Sequence, residues 1–201
     1  MIKNVIFDLG GVMVGFRCRE VIKELGYPPE EVEKLLGMTL GSPEYIEGDR
    51  GLVTFDEKVD IMCKNHPEYS EDIRKIMSHV SEFFYLFNNI KGIINDVKAA
   101  GYGMYYLSNT SEDVDNNING EHHLFEMFDG GIRSYKEHLL KPEPEIYKLL
   151  LDRYGLAADE CLFVDDLENN TKGANAVGIH TITLKDQSKL REELIKQGVK
   201  T

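Results

Sequence analysis

Asp8, Asp165-Asp166, Lys141 and the triplet Ser108-Asn109-Thr110 are the positions whose types and placement could do chemistry. Asp8 follows the apolar run Val5-Ile6-Phe7 and opens onto Leu9-Gly10-Gly11-Val12. The acidic pair follows Cys161-Leu162-Phe163-Val164, and the triplet follows Gly103-Met104-Tyr105-Tyr106-Leu107. Lys141 lies within Leu140-Lys141-Pro142-Glu143-Pro144. Each apolar run reads as a buried strand delivering polar groups to a loop, and glycines after Asp8 let backbone approach a ligand closely. Three carboxylates, a hydroxyl, an amide and one ammonium suit a site that holds a hard divalent cation beside an anionic group. Singly, the pieces have plainer readings. Asp8 reads equally well as a turn residue at a strand end, the triplet as a helix cap and Lys141 as a solvated lysine. The acidic pair is harder to account for, since adjacent carboxylates raise each other's pKa unless a cation compensates.

The elements that must position these groups show as changes of hydrophobic period. After Val14 the pattern turns helical, with Val21, Ile22 and Leu25 on one face and a stop at Gly26-Tyr27-Pro28-Pro29. Helices alone are expected from there to about Asn88: around Glu30 to Gly37, Phe55 to Asn65 and Ser70 to Phe84. Strands and helices then alternate: a helix from Ile90 to Ala100, a strand at 103–107, one at 130–132, a helix from Pro144 to Tyr154, a strand at 161–164, a helix from Asn170 to Val177 and a strand from His180 to Leu184. This alternation predicts an α/β fold, a Rossmann-like doubly wound parallel sheet with a small all-helical cap inserted after the first strand. The ligand crevice then lies beyond the carboxyl ends of the strands, where the polar clusters stand. The expected division is a core of residues 1–14 and 89–201 and a cap of residues 15–88.

Composition narrows the function classes. The chain has 201 residues, of which 42% are apolar, enough for a proper core. Twenty-three Lys and Arg against 35 Asp and Glu give a formal charge of −12, which repels polyanions, so neither nucleic acid nor an anionic membrane is an expected partner. Cys18, Cys63 and Cys161 have no metal-binding spacing and read as thiols of a reducing compartment. His122-His123 sit in a stretch that reads as a polar loop, with no third ligand at a sensible spacing. Met1-Ile2-Lys3-Asn4 lead straight into the first strand without a targeting pattern, which makes cytoplasmic localisation the expectation.

Four ordered motifs carry a family resemblance: Phe7-Asp8-Leu9-Gly10-Gly11-Val12, Leu107-Ser108-Asn109-Thr110, Lys141-Pro142-Glu143-Pro144-Glu145-Ile146-Tyr147, and Phe163-Val164-Asp165-Asp166 with Asn170. The chain resembles haloacid dehalogenase superfamily hydrolases along its whole length. It looks most like the branch that includes glucose-1-phosphate phosphatases and the phosphatase domain of epoxide hydrolases. The resemblance implies that Asp8 is a nucleophile that becomes an aspartyl phosphate. It implies Mg²⁺ held by Asp8, the carbonyl of Gly10 and Asp166, with Asp165 beside it. Ser108 and Asn109 would bind the phosphoryl group, Lys141 would balance its charge, and Asn170 would steady the metal loop.

One position departs from the family pattern. Most phosphatases of this kind have a second Asp two residues after the nucleophile, as general acid and base, and here Gly10 stands there. Proton transfer by such a group contributes roughly 10²–10⁴ in rate. A non-catalytic metal-binding or phosphometabolite-binding protein, or a regulatory one, of the same fold is therefore one alternative. A metal-independent haloacid dehalogenase is another, disfavoured because it has no use for the acidic pair. The leading expectation is a phosphatase acting on a small phosphorylated metabolite, a sugar phosphate by preference. Specificity would lie with the cap. Phe16, Arg17, Tyr45 and Asp49 lie in segments that could reach the crevice, although Phe16 and Tyr45 read equally as cap core and Arg17 as a surface charge.

Overall fold

Val5, Ile6 and Phe7 have no exposed surface, and alternation puts Ile6 on one face of a sheet and its two neighbours on the other. In the computed structural model they lie in β1 (Asn4–Phe7). The other strands are β2 (Val14–Phe16), β3 (Phe84–Leu86), β4 (Gly103–Ser108), β5 (Gly130–Arg133), β6 (Cys161–Asp165) and β7 (His180–Thr183). The structure describes the backbone of residues 1–201 and all side chains except those of residues 119, 121 and 122, so His122 lies outside the described side chains.

Five strands form one sheet in the order β5-β4-β1-β6-β7, with every neighbouring pair parallel. β1 is central: the chain adds β4 and then β5 outward on one side of it and later β6 and β7 outward on the other, which places a topological switch point at its carboxyl end. Register keeps the strand ends level: Phe7 pairs with Tyr106 on one side and Val164 on the other, so Asp8, Ser108 and Asp165 emerge together.

Helices cover both faces, as a parallel sheet requires. The helices are α1 (Cys18–Glu24), α2 (Pro29–Met38), α3 (Pro43–Gly48), α4 (Phe55–Asn65), α5 (Ser70–Met77), α6 (Ile90–Ala99), α7 (Glu112–His122), α8 (Ser134–Glu137), α9 (Pro144–Tyr154), α10 (Glu168–Ala176) and α11 (Leu190–Lys196). Val5, Phe7, Met104 and Leu162 pack with Ile90, Ile94 and Val97 of α6 and Leu190 and Leu194 of α11. Ile6, Leu107 and Phe163 pack on the opposite face with Ile146 and Leu150 of α9 and Ala174 of α10. Helices α1, α2 and α5 share their own small core of Val21, Ile22, Val32, Leu35 and Ile76.

The insert differs from the expected run of helices. β2 and β3 pair antiparallel, Val14 with Leu86 and Phe16 with Phe84, forming a ribbon where the chain leaves the sheet and returns to it. The helix expected from Ser70 to Phe84 stops at Met77, where Ser78 turns its hydroxyl back to the Lys75 carbonyl at 2.7 Å. α3, α7 and α11 were not among the expected elements. Residues 112–122 are helical rather than loop, and His123 follows at φ 50°.

Candidate active site

The loop after β1 is built to present Asp8. The amides of Met13 and Val14 both donate to the Leu9 carbonyl at 2.8 Å, folding residues 9–14 into a tight turn. Gly11 sits there at φ +68°, and a Cβ on it would lie 2.5 Å from Cγ of Asp166. Backbone conformation and space both demand glycine, and its lack of a side chain is what lets the β1 loop meet the β6 loop.

Lys141 organises the acids. Its ammonium is buried and lies 2.8 Å from Oδ1 of Asp8, 2.7 Å from Oδ2 of Asp165 and 3.0 Å from the Leu107 carbonyl, which accepts a hydrogen bond from it. Burial would pull the ammonium pKa down, and the charges of Asp8 and Asp165 more than reverse that, so Lys141 stays protonated. Asn109 sets its backbone: the Asn109 amide donates to the Lys141 carbonyl at 3.0 Å and accepts from the Lys141 N–H at 2.8 Å. The side chain of Asn109 is thus engaged in holding the lysine loop, and its carbonyl accepts from the Ser108 hydroxyl at 3.3 Å. Ser108 is buried at the end of β4 beside it.

The three carboxylates are not alike. Asp165 is wholly buried and fully engaged: Leu167 N–H donates to it at 2.8 Å, Asn170 donates to each oxygen at 3.1 Å, and Lys141 completes the set. Asn170 is itself anchored through its carbonyl, which accepts from the Tyr147 hydroxyl at 2.8 Å. Asp8 takes both its hydrogen bonds on Oδ1, from Leu9 N–H at 2.7 Å and from Lys141, so no described residue donates to Oδ2. The side chain of Asp166 accepts from no other described residue; its carbonyl is used by Lys185 at 2.9 Å. One oxygen from each of the three acids fits within 4.8 Å of the others.

Burial, with Asp165 and Asp166 adding to it against the pull of Lys141, raises the Asp8 carboxyl above the usual range, and burial and Asp165 raise Asp166. An oxygen-only donor set, uncommitted on Asp8 and Asp166 and short of positive charge, fits a hard divalent cation.

The insert closes over this end of the sheet. Arg50 makes a forked ion pair with Glu143 at 2.6 and 3.2 Å, and Lys58, itself buried, donates to Ser111 and Asp113, each at 3.1 Å. Between insert and sheet lies a cavity of about 130 Å³, lined on the sheet side by Gly10, Ser108 and Asn109. Tyr45 and Asp49 reach it, and so does Phe16. Arg17 does not: it pairs with Glu24 at 2.6 Å in an exposed contact. Lys58 and Ser134 were invisible as site residues in the sequence, since nothing marks one polar residue among many as buried.

The fold and the polar groups converging from three strand ends and the Lys141 loop define a haloacid dehalogenase-like hydrolase. That family's model matches residues 2–178, and the chain belongs to it. A sesquiterpene phosphatase of Aspergillus oryzae is 24% identical over 184 residues, covering 92% of this chain and 90% of that one. Bifunctional epoxide hydrolase 2 of Rattus norvegicus is 38% identical over 73 residues, 36% of this chain and 13% of the longer one. Among solved structures, a haloacid dehalogenase family enzyme of Bacteroides thetaiotaomicron in complex with magnesium and inorganic phosphate is 26% identical, with a TM-score of 0.71 over 91% of this chain and 94% of that one. Among the described residues no helix is long and apolar enough to cross a membrane.

Proposed function

We propose that the protein is a Mg²⁺-dependent phosphatase that hydrolyses a small phosphate monoester through an aspartyl phosphate on Asp8. The observation that carries this reading is the uncompensated acid cluster: Asp8, Asp165 and Asp166 gather around a single ammonium, with free oxygens on Asp8 and Asp166. The Bacteroides enzyme crystallised with magnesium and phosphate and the Aspergillus phosphatase both support it.

Asp8 attacks phosphorus with a carboxylate oxygen while Lys141 offsets the charge of two approaching anions. Ser108 and the backbone N–H of Asn109 receive the phosphoryl oxygens. Asp165, held by Lys141, Asn170 and Leu167, fixes the lysine in place. Asp8, Asp166 and the Gly10 carbonyl would hold Mg²⁺, which when bound would supply positive charge to the phosphoryl group. Carbon–halogen cleavage needs no such charge, so the acid cluster favours phosphorus over a haloacid. The leaving-group side departs from the expected sugar phosphate. Leu9, Val14, Phe16, Phe84, Val114 and Ile118 line the cavity, which suits an alcohol with an apolar body better than a polyhydroxylated sugar.

Phosphate release from benzyl phosphate and from hexose phosphates, with Mg²⁺ and with excess chelator, tests this. Turnover is expected only with Mg²⁺ and faster on the benzyl ester, and Asp8→Asn is expected to abolish it while folding normally. Undiminished turnover in chelator, or wild-type rates from the Asn variant, would sink the assignment.

A further inference from the structure

Gly10 leaves the site without the carboxylate that most family phosphatases use for proton transfer, yet another acid faces the same cavity from the insert. α3 begins with Ser42 accepting from the Tyr45 N–H at 3.2 Å and ends at Asp49. Tyr45 and Asp49 are four residues apart, so they share a helix face, and that face lines the cavity together with Gly10, Ser108 and Asn109. Two polar groups there lack partners. The Tyr45 hydroxyl is a buried atom with no hydrogen bond, on a residue with 9% of its surface exposed. The Asp49 carboxylate takes no hydrogen bond or ion pair from any described residue, although its backbone does. Leaving a buried polar group unsatisfied costs about 1–3 kcal/mol, which falls on the Tyr45 hydroxyl, and the half-buried Asp49 carboxylate lines the cavity with no protein partner to hold its proton.

Taking the phosphatase reading as its basis, we propose that Asp49 is the general acid and base of this enzyme, supplied by the insert in place of the carboxylate absent at position 10. In the first step Asp8 bonds to phosphorus, the bond from phosphorus to the ester oxygen breaks, and the Asp49 proton passes to that oxygen, releasing the alcohol. In the second, water bonds to phosphorus, Asp49 takes a proton from it, and the bond to Asp8 breaks, releasing phosphate and restoring Asp49 as the acid. The Tyr45 hydroxyl donates to the ester oxygen.

The position of Asp49 is fixed from the sheet side. Ser134 donates through Oγ to the Asp49 carbonyl at 2.6 Å and accepts from the Thr110 N–H at 2.9 Å. Arg50 next to it holds Glu143, and Gly51, at φ +74°, packs so closely that a Cβ would lie 2.2 Å from the Tyr135 carbonyl oxygen. The segment 49–51 is therefore pinned to the loops after β4 and β5 that carry Ser108 and Lys141. Burial pushes the Asp49 carboxyl up to about 7, with Lys58 and Lys141 drawing it down and Asp113 pushing it up. Tyr45, raised by burial and by Asp49, stays protonated as a donor. A group that gives and takes a proton in alternate steps works best with a pKa near the operating pH.

The test compares two esters. A poor leaving group needs the acid and a good one does not, so Asp49→Asn should lower kcat/KM on benzyl phosphate by about 10²–10⁴. On 4-nitrophenyl phosphate the loss should be less than about tenfold, because nitrophenolate departs without a proton. That variant should also release a burst of one nitrophenolate per chain and retain a phosphoryl group on Asp8, visible by intact mass, since water attack has lost its base. Tyr45→Phe should raise KM on both esters without this selectivity. Equal losses on the two esters, no burst, or no loss on benzyl phosphate would overturn the role of Asp49 and leave the phosphatase standing. A wild-type protein that turns over neither ester with Mg²⁺ would bring down both readings.

Discussion

Replacing Lys141 with Met removes the one positive charge inside the acid cluster while keeping most of the side-chain volume. In the wild type that ammonium, with 4% of the residue exposed, touches carboxylates at 2.8 and 2.7 Å and a carbonyl at 3.0 Å. Its removal strands Asp8 and Asp165 beside each other in a site that water barely reaches. Breaking a buried pair from one side typically costs about 3–5 kcal/mol. A chain of this length loses roughly 2–4 °C in Tm per kcal/mol, so melting in chelator should fall by about 6–20 °C. The penalty should also depend on pH. Without the lysine, Asp8 holds its proton to still higher pH in the folded chain than in the unfolded one, so the folded state binds the extra proton and the variant loses ground as pH rises. Because the wild-type Asp8 carboxyl is itself raised to about 8, the gap to wild type should stay level from pH 5 to 7 and widen as pH climbs past about 8. Activity with Mg²⁺ should drop by about 10²–10³, the scale for losing one group that stabilises transition-state charge. Calorimetric melts across pH and phosphate-release assays check both halves. A gap below about 1 kcal/mol that does not change with pH would refute the claim that Lys141 balances this cluster.

Gly11→Ala should place a methyl group against Asp166 and force a side chain into the left-handed region, costing about 1–2 kcal/mol for the backbone alone. Mg²⁺ affinity by calorimetric titration should weaken by about 10–100-fold, the usual penalty for disturbing the support of a metal ligand; unchanged affinity would mean Asp166 does not bind the ion. Mg²⁺ itself should raise Tm more at alkaline than at acid pH. Asp8 and Asp166 carry raised carboxyl pKa values, so between about 4 and those raised values the folded chain without metal binds more protons than the unfolded one, and its stability falls as pH climbs. Mg²⁺ competes with those protons, so its stabilisation should grow from about pH 5 to pH 8. A gain in Tm that is flat or shrinking over that range would count against Asp8 and Asp166 as its ligands.

What the sequence made legible is what local chemistry controls. A buried strand followed by an acid announces itself by a run of apolar residues and an abrupt polar stop, and β1, β4 and β6 all do so. Their level ends follow from parallel pairing, which is why four separate motifs could be read as one crevice. The elements that escaped detection lack a local signal. β2 and β3 are three residues each and exist because they pair with one another. α7 is acidic and amide-rich, with Val114 and Ile118 as its buried apolar residues. Asp49 was visible as a candidate, but its place over the crevice depends on Arg50 reaching Glu143 across 93 residues and on Ser134 bridging two loops. Lys58, buried against Tyr45 and Phe55, owes its role entirely to such docking.

The charge count at the sheet's carboxyl edge connects the two unusual features of this chain. Asp8, Asp165 and Asp166 against Lys141 leave an excess of two negative charges if all ionise, three less one. A divalent cation cancels that excess, and without it the protein can hold protons instead, as the raised carboxyls of Asp8 and Asp166 do. A fourth carboxylate at position 10 would enlarge the excess inside the same cluster. Moving the proton-transfer acid to Asp49 on the insert separates it from the metal site and sets it near Lys58, within the field of Lys141. Its protonation then answers to cap closure and to the leaving group rather than to the bound ion. Glycine at position 10 is in this light one half of an arrangement whose other half is α3, and the cost of the arrangement is that catalysis requires the insert to be docked.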